Sequence, residues 1–209
     1  MTRILFQGDS ITDCGRTKNN DESFKGSGYP HLVMGHLNYE NPGEYEFYNR
    51  GISGNKIVDI YARMKRDLIC LKPDIMSILV GVNDIWHEVD FRDGVDEGKF
   101  EKIYDMLLTE VKEALPGIKI IIMGAFILKS TASQAKWDVL YDGTKKRAEI
   151  AKRLAEKHGC VFVDLQSKFD EATEIVPEPY WTREGVHPTE AGHELIKREW
   201  LRAFELINS

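Results

Sequence analysis

Short runs of apolar and β-branched residues recur along the chain at 3–7, 44–49, 74–80, 118–124 and 160–165, each separated from the next by a longer stretch of helical period. The short runs read as strands. The stretches between them, 29–40, 56–71, 98–115 and 133–158, read as helices, and 188–208 closes the chain with another. Within 98–115, Phe100, Ile103, Leu107, Val111 and Leu115 recur at steps of three or four, so they share one face opposite a charged one. Ile120-Ile121-Ile122-Met123 is apolar at consecutive positions, which predicts cover on both faces of that strand. Strict alternation of strand and helix predicts parallel strands joined by right-handed crossovers. The expected fold class is α/β, a three-layer helix-sheet-helix sandwich with a five-stranded parallel sheet.

No repeat, low-complexity tract or linker divides the 209 residues, so one domain over 1–209 is expected. An apolar fraction of 42% beside 30% charged residues is enough for a packed core and excludes disorder and a disulfide miniprotein. The net charge of -6 offers no broad basic surface for nucleic acid or anionic lipid, which points to a small-molecule ligand. The apolar stretches 75–82 and 118–128 are far shorter than the roughly 20 residues that cross a bilayer. The run before Gly8-Asp9-Ser10 leaves no room for a signal-peptide core. Cys14, Cys70 and Cys160 are an odd number without C-x-x-C spacing, which suits a reducing compartment. Together these features predict a cytoplasmic protein with no metal and no organic cofactor, and they leave open whether it forms a homo-oligomer.

In such a fold, chemistry gathers beyond the carboxyl ends of the strands. Ser10 stands just after the first run, next to Gly8, where a serine entering a helical turn is exposed as a nucleophile. A serine hydroxyl needs a base, and the base needs a partner that holds its tautomer. Glu184 and His187 are three apart on one predicted loop, with Pro188 expected just inside the closing helix. Asn83 and Gly54 follow two other strands and are suited to holding an oxyanion, one through its side-chain amide and the other through its backbone N–H. Trp86 and Trp181 each lie a few residues from a candidate catalytic group and are expected to close an acyl pocket or stack on a sugar. Asp9 reads as a brace for the backbone around Ser10, and Asp13, Asp59 and Asp84 as supporting or capping groups. His193 reads as structural, and Cys14 as a thiol with no helix-borne base nearby. A helix-capping Ser10, or a phosphate-binding flavodoxin-like module centred on Asp9, are the competing readings.

Gly8-Asp9-Ser10-Ile11-Thr12, Asn49-Arg50-Gly51-Ile52-Ser53-Gly54-Asn55, Gly81-Val82-Asn83-Asp84 and Glu184-Gly185-Val186-His187-Pro188-Thr189 resemble, in order, the four blocks of the SGNH hydrolases, also called the GDSL esterase/lipase family. The resemblance implies a flavodoxin-like SGNH hydrolase fold. It also implies Ser10 as nucleophile, His187 as base, and an oxyanion hole made by Ser10, Gly54 and Asn83. The family usually carries Asp where this chain has Glu184, so either the longer side chain reaches His187 or a backbone carbonyl orients the ring. A finer resemblance, over 6–13, 51–63, 72–86 and the Trp181 region, is to the intracellular acetylxylan esterase-like branch. It implies an acetylated sugar as substrate, such as a xylo-oligosaccharide. Short-chain lipid esters, thioesters, or a carbohydrate-binding protein that has lost turnover are the alternatives.

Overall fold

The computed structural model describes residues 1–17 and 23–208. Five strands, β1 (Thr2–Gly8), β2 (Tyr45–Asn49), β3 (Ile75–Leu79), β4 (Lys119–Met123) and β5 (Val161–Val163), form one sheet in the order β2-β1-β3-β4-β5. Every pairing is parallel. The helices are α1 (Ser10–Asp13), α2 (Tyr29–Glu40), α3 (Ile57–Asp67), α4 (Val82–Phe91), α5 (Glu97–Ala114), α6 (Trp137–His158), α7 (Leu165–Ile175) and α8 (Glu190–Asn208).

Period-two alternation in the strands sorts the core into two halves. Ile4 and Phe6 of β1, Ile75 and Leu79 of β3, and Ile121 and Met123 of β4 pack with Val33 of α2, Phe169 of α7 and Trp200 of α8. Leu5, Met76, Ile78, Ile120 and Ile122 point the other way, onto Ile60 of α3, Leu107 and Val111 of α5 and Leu154 of α6. Each aliphatic or aromatic side chain fully buried this way contributes about 1.5–3 kcal/mol. On α5 the expected stripe holds at Phe100, Leu107 and Val111, while Tyr104 and Leu108 are the more deeply buried neighbours of Ile103.

Two helices lie where the sequence reading places none. α4 starts directly after Gly81; Val82 is buried and Ile85, Trp86 and Val89 pack against the core at helical spacing, a stripe that the reading of 81–84 as a strand-end loop passes over. α7 is capped by Asp164, which accepts from Ser167 N at 3.2 Å, and it begins at Leu165, the last residue of the fifth strand expected from the sequence. The closing helix starts at Glu190, and Pro188 instead pairs with Thr182 in an isolated antiparallel bridge. Among the described residues no helix is long and apolar enough to cross a membrane.

The strand order places the site. The chain leaves β1 for β2 on one side of the sheet and returns to β3 on the other, so the loops after β1 and β3 diverge and open a crevice at their carboxyl ends.

Candidate active site

Ser10 is the first residue of the one-turn α1, immediately past β1. Gly8 allows this tight exit: a Cβ there would fall 2.4 Å from Thr12 Oγ1 and 2.5 Å from the Leu79 carbonyl. Asp9 caps the turn, its Oδ1 accepting from Ile11 N at 3.0 Å. Burial pushes the Asp9 carboxyl up to about 7, against the pull of that N–H and of nearby His187. The Ser10 N–H, in the first turn, has no partner within its helix.

His187 and Glu184 sit on a loop closed by the Thr182–Pro188 bridge, with Arg183 N donating to the His187 carbonyl at 2.8 Å and Thr189 N to that of Trp181 at 2.9 Å. Leu128 N donates to the Gly185 carbonyl at 2.8 Å, fastening the loop to the segment after β4. Gly185 is needed there, because with φ at +96° its Cβ would lie 2.4 Å from the Leu128 carbonyl. Glu184 Oε1 accepts from His187 N at 2.9 Å and from the ring Nδ1–H. The proton on Nδ1 leaves the Nε2 lone pair facing Ser10 Oγ, 2.8 Å away. Of the two routes open to a chain with Glu at this position, the side chain itself reaches the ring.

The hydrogen bond to Glu184 raises the His187 pKa, outweighing the opposing effect of burial, and the charges of Glu184 and Asp9 act in the same direction. Burial alone would raise the Glu184 carboxyl, but the bonds from the His187 ring and N–H bring it below its ordinary value.

The loop after β2 carries Gly54 at φ +82°, a left-handed conformation that favours glycine. It is clasped from two sides. Asp13 of α1 accepts through Oδ2 from both the N–H and the Oγ–H of Ser53, each at 2.9 Å. From α4, Asn83 Nδ2 donates to the Asn55 carbonyl at 3.2 Å, and Asp84 Oδ1 accepts from Ile57 N at 3.1 Å. The segments holding Ser10, Gly54 and Asn83 are thus bonded to one another. Burial pushes Asp84 up to about 7, with the Ile57 N–H and Arg147 opposing it. Asp59 accepts from Lys56 N at 2.8 Å and caps α3.

These residues border a cavity of about 440 Å³. Ser10, Glu184 and His187 form one wall and Ser53 and Gly54 another, while α4 supplies Asn83, Trp86, His87 and Phe91. Trp181 is not part of it. Its indole N–H donates to the Val176 carbonyl at 2.8 Å, and its ring lines a separate depression of about 280 Å³ against α8. The bridge at Thr182 separates Trp181 from the cavity even though it is three residues from Glu184. His87 and Phe91 reach the cavity from α4, which the sequence reading treats as a loop although Val82, Ile85, Trp86 and Val89 stand at helical spacing and signal it. Cys14, expected to have no helix-borne base nearby, lies 3.5 Å from His193 Nε2 of α8. His193 Nδ1 accepts from Tyr29 N at 3.1 Å, so Nε2 carries the proton and donates to the sulfur; this is a bracing contact.

The sequence profile of the GDSL-like lipase/acylhydrolase family matches residues 6–195. The chain belongs to this family. Membership makes it a carboxylic ester hydrolase and agrees with the four blocks read above. This GDSL hydrolase is 34% identical to an acetylxylan esterase from Geobacillus stearothermophilus over 217 residues, 99% of this chain and 96% of that protein. The crystal structure of that organism's acetylxylan esterase Axe2 superposes with a TM-score of 0.86 at 32% identity, covering 97% of this chain and 93% of the other. A Parabacteroides merdae structure described as a GDSL-like lipase gives a TM-score of 0.91 at 37% identity, covering 98% and 96%. The fold of this GDSL hydrolase is therefore that of the SGNH hydrolases.

Proposed function

We propose that this esterase removes short acyl groups, acetyl foremost, from carbohydrates such as xylo-oligosaccharides through an acyl-enzyme on Ser10. The observation that carries the reading is the continuous hydrogen-bonded chain Glu184–His187–Ser10 opening into a cavity that Gly54 and Asn83 also border. The carbohydrate part rests on the likeness to the Geobacillus stearothermophilus acetylxylan esterase. A cytoplasmic location, which the three free cysteines favour, would make a small oligosaccharide the carrier of the acetyl group rather than the polymer.

Ser10 Oγ bonds to the ester carbonyl carbon as its proton passes to His187 Nε2. The carbonyl oxygen takes the negative charge and receives hydrogen bonds from the Ser10 and Gly54 N–H groups and the Asn83 amide. Breaking the C–O bond expels the alcohol, which takes the proton back from Nε2. Water then repeats the sequence on the acyl-enzyme and frees the acid. Glu184 holds the ring and stabilises the imidazolium in both halves. No step calls for a metal or an organic cofactor.

Asn83→Ala is expected to lower kcat by on the order of 10² to 10³, the loss that follows removal of one oxyanion donor, with KM much less affected. Steady-state kinetics on p-nitrophenyl acetate checks this, and an unchanged kcat would take Asn83 out of the oxyanion hole. For the substrate class, acetate release from a panel of acetylated sugars should exceed that from simple alkyl acetates, and kcat/KM should fall as the acyl chain lengthens from acetyl to octanoyl. A preference for octanoyl would move the assignment to a lipid esterase or thioesterase.

A further inference from the structure

We infer that His87 is a specificity-determining residue that hydrogen-bonds a hydroxyl group on the alcohol portion of the ester, beside an aromatic flank made by Trp86 and Phe91. The inference rests on the carbohydrate reading above and deepens it.

Most polar groups around the cavity already have partners. Ser10, His187 and Glu184 are bonded to one another. Ser53 spends its hydroxyl on Asp13. Asn83 gives one amide hydrogen to the Asn55 carbonyl and keeps the other for the oxyanion. Trp86 lines the cavity, but its indole N–H donates to Asp90 Oδ2 at 2.8 Å, so only its apolar surface is left for a ligand. Val82, Val186 and Phe91 offer no polar side-chain atom. Among the described residues bordering the cavity, His87 is the polar side chain that makes no hydrogen bond to another protein group, with the carboxylates of Asp90 and Asp93 near enough to feel its charge.

Its placement suits the role. A Cβ built on Gly54 would lie 3.8 Å from His87 Cε1, so the imidazole stands beside the residue that donates to the oxyanion. On its other side the Phe91 ring meets it edge to face, with centroids 5.5 Å apart and an interplanar angle of 80°. Phe91 is 68% exposed, a large apolar surface bordering the cavity and still open to a ligand. An imidazole offers one donor and one acceptor, and a hydroxyl needs both. Aromatic faces beside a hydrogen-bonding side chain form a surface for a ligand that alternates C–H patches with hydroxyls, as a sugar ring does. An alkyl ester would displace water from the His87 nitrogens and offer them no partner in exchange, so the residue discriminates as well as binds.

The test compares kcat/KM for two acetyl esters that differ in one group, a methyl xyloside monoacetate with a free neighbouring hydroxyl and its deoxy analogue. The wild-type enzyme, His87→Phe and His87→Gln are each assayed on both. The wild type is expected to favour the hydroxylated ester by about tenfold, the scale of one hydrogen bond. His87→Phe should bring that ratio close to one, whatever it does to the rate common to both substrates, and His87→Gln should restore most of it. A wild type that prefers the hydroxylated ester while His87→Phe keeps the preference would overturn the His87 assignment and leave the carbohydrate reading standing. A wild type with no preference would overturn the His87 assignment, whereas the carbohydrate reading falls separately, if acetylated sugars release acetate no faster than simple alkyl acetates.

Discussion

Ser10→Ala is expected to lose ester hydrolysis by on the order of 10⁴- to 10⁶-fold, because members of a nucleophile-base-acid unit act together and the loss of one forfeits the unit's contribution. The substitution removes an oxygen whose partner is His187 Nε2. It leaves the turn intact, since α1 is capped by Asp9 and braced through Asp13. The variant should therefore unfold at the wild-type temperature while turnover of p-nitrophenyl acetate disappears. A fluorophosphonate, which reacts only with an activated serine, should label the wild type and not the variant. Retained turnover in the variant would assign the nucleophile elsewhere. A wild type that the probe ignores would favour the carbohydrate-binding alternative.

The second large effect is expected at Glu184. Replacing the carboxylate by an amide turns an acceptor into a group that can present N–H to Nδ1, which selects the tautomer with its proton on Nε2, facing Ser10. A loss of about 10⁴ in kcat accompanies this change in the Ser-His-Asp arrangement, and a similar loss is expected for Glu184→Gln. The pH profile supplies an independent sign. His187 works as a base only when neutral, and Glu184 raises its pKa. Wild-type kcat/KM should then fall with decreasing pH through an inflection above the ordinary histidine value near 6.5. Without the carboxylate, burial still lowers the imidazole pKa and Asp9 alone raises it, so the residual activity of Glu184→Gln should show its acid limb at lower pH. An acid limb that stays in place, with activity within tenfold of wild type, would mean that Ser10 and His187 act as a dyad.

Glu184 and His187 were legible from their three-residue spacing and the family block they resemble, and Ser10, Gly54 and Asn83 because a parallel sheet sends every strand's carboxyl end to the same edge. A residue just past a doubly apolar run therefore has few places to go. The strands were legible from their composition: Ile75–Leu79 is buried along its whole length and is apolar at every position but Ser77. What stayed hidden has other causes. α4 carries a helical stripe, Val82, Ile85, Trp86 and Val89, but it begins directly after Gly81, where the sequence reading places a loop, and His87 and Phe91 lie off that stripe. Trp181 misleads by proximity, because a single bridge pair turns its ring away from a cavity three residues on. The clasp of the Gly54 loop by Asp13, Asn83 and Asp84 joins three segments through carboxylate and amide side chains, which in a sequence look like ordinary caps.

The hydrogen bond between Ser10 and His187 spans 177 positions of chain. A nascent polypeptide that has completed β1 through β4 already carries its reactive hydroxyl, yet that hydroxyl is as inert as any free alcohol until the last loop docks beside α8. Non-local closure of this kind is slow, because the entropy of closing the loop comes before the contact that rewards it. On the proposed triad, a copy in which this loop has not docked lacks its base, so activity reports that the two ends of the chain have met.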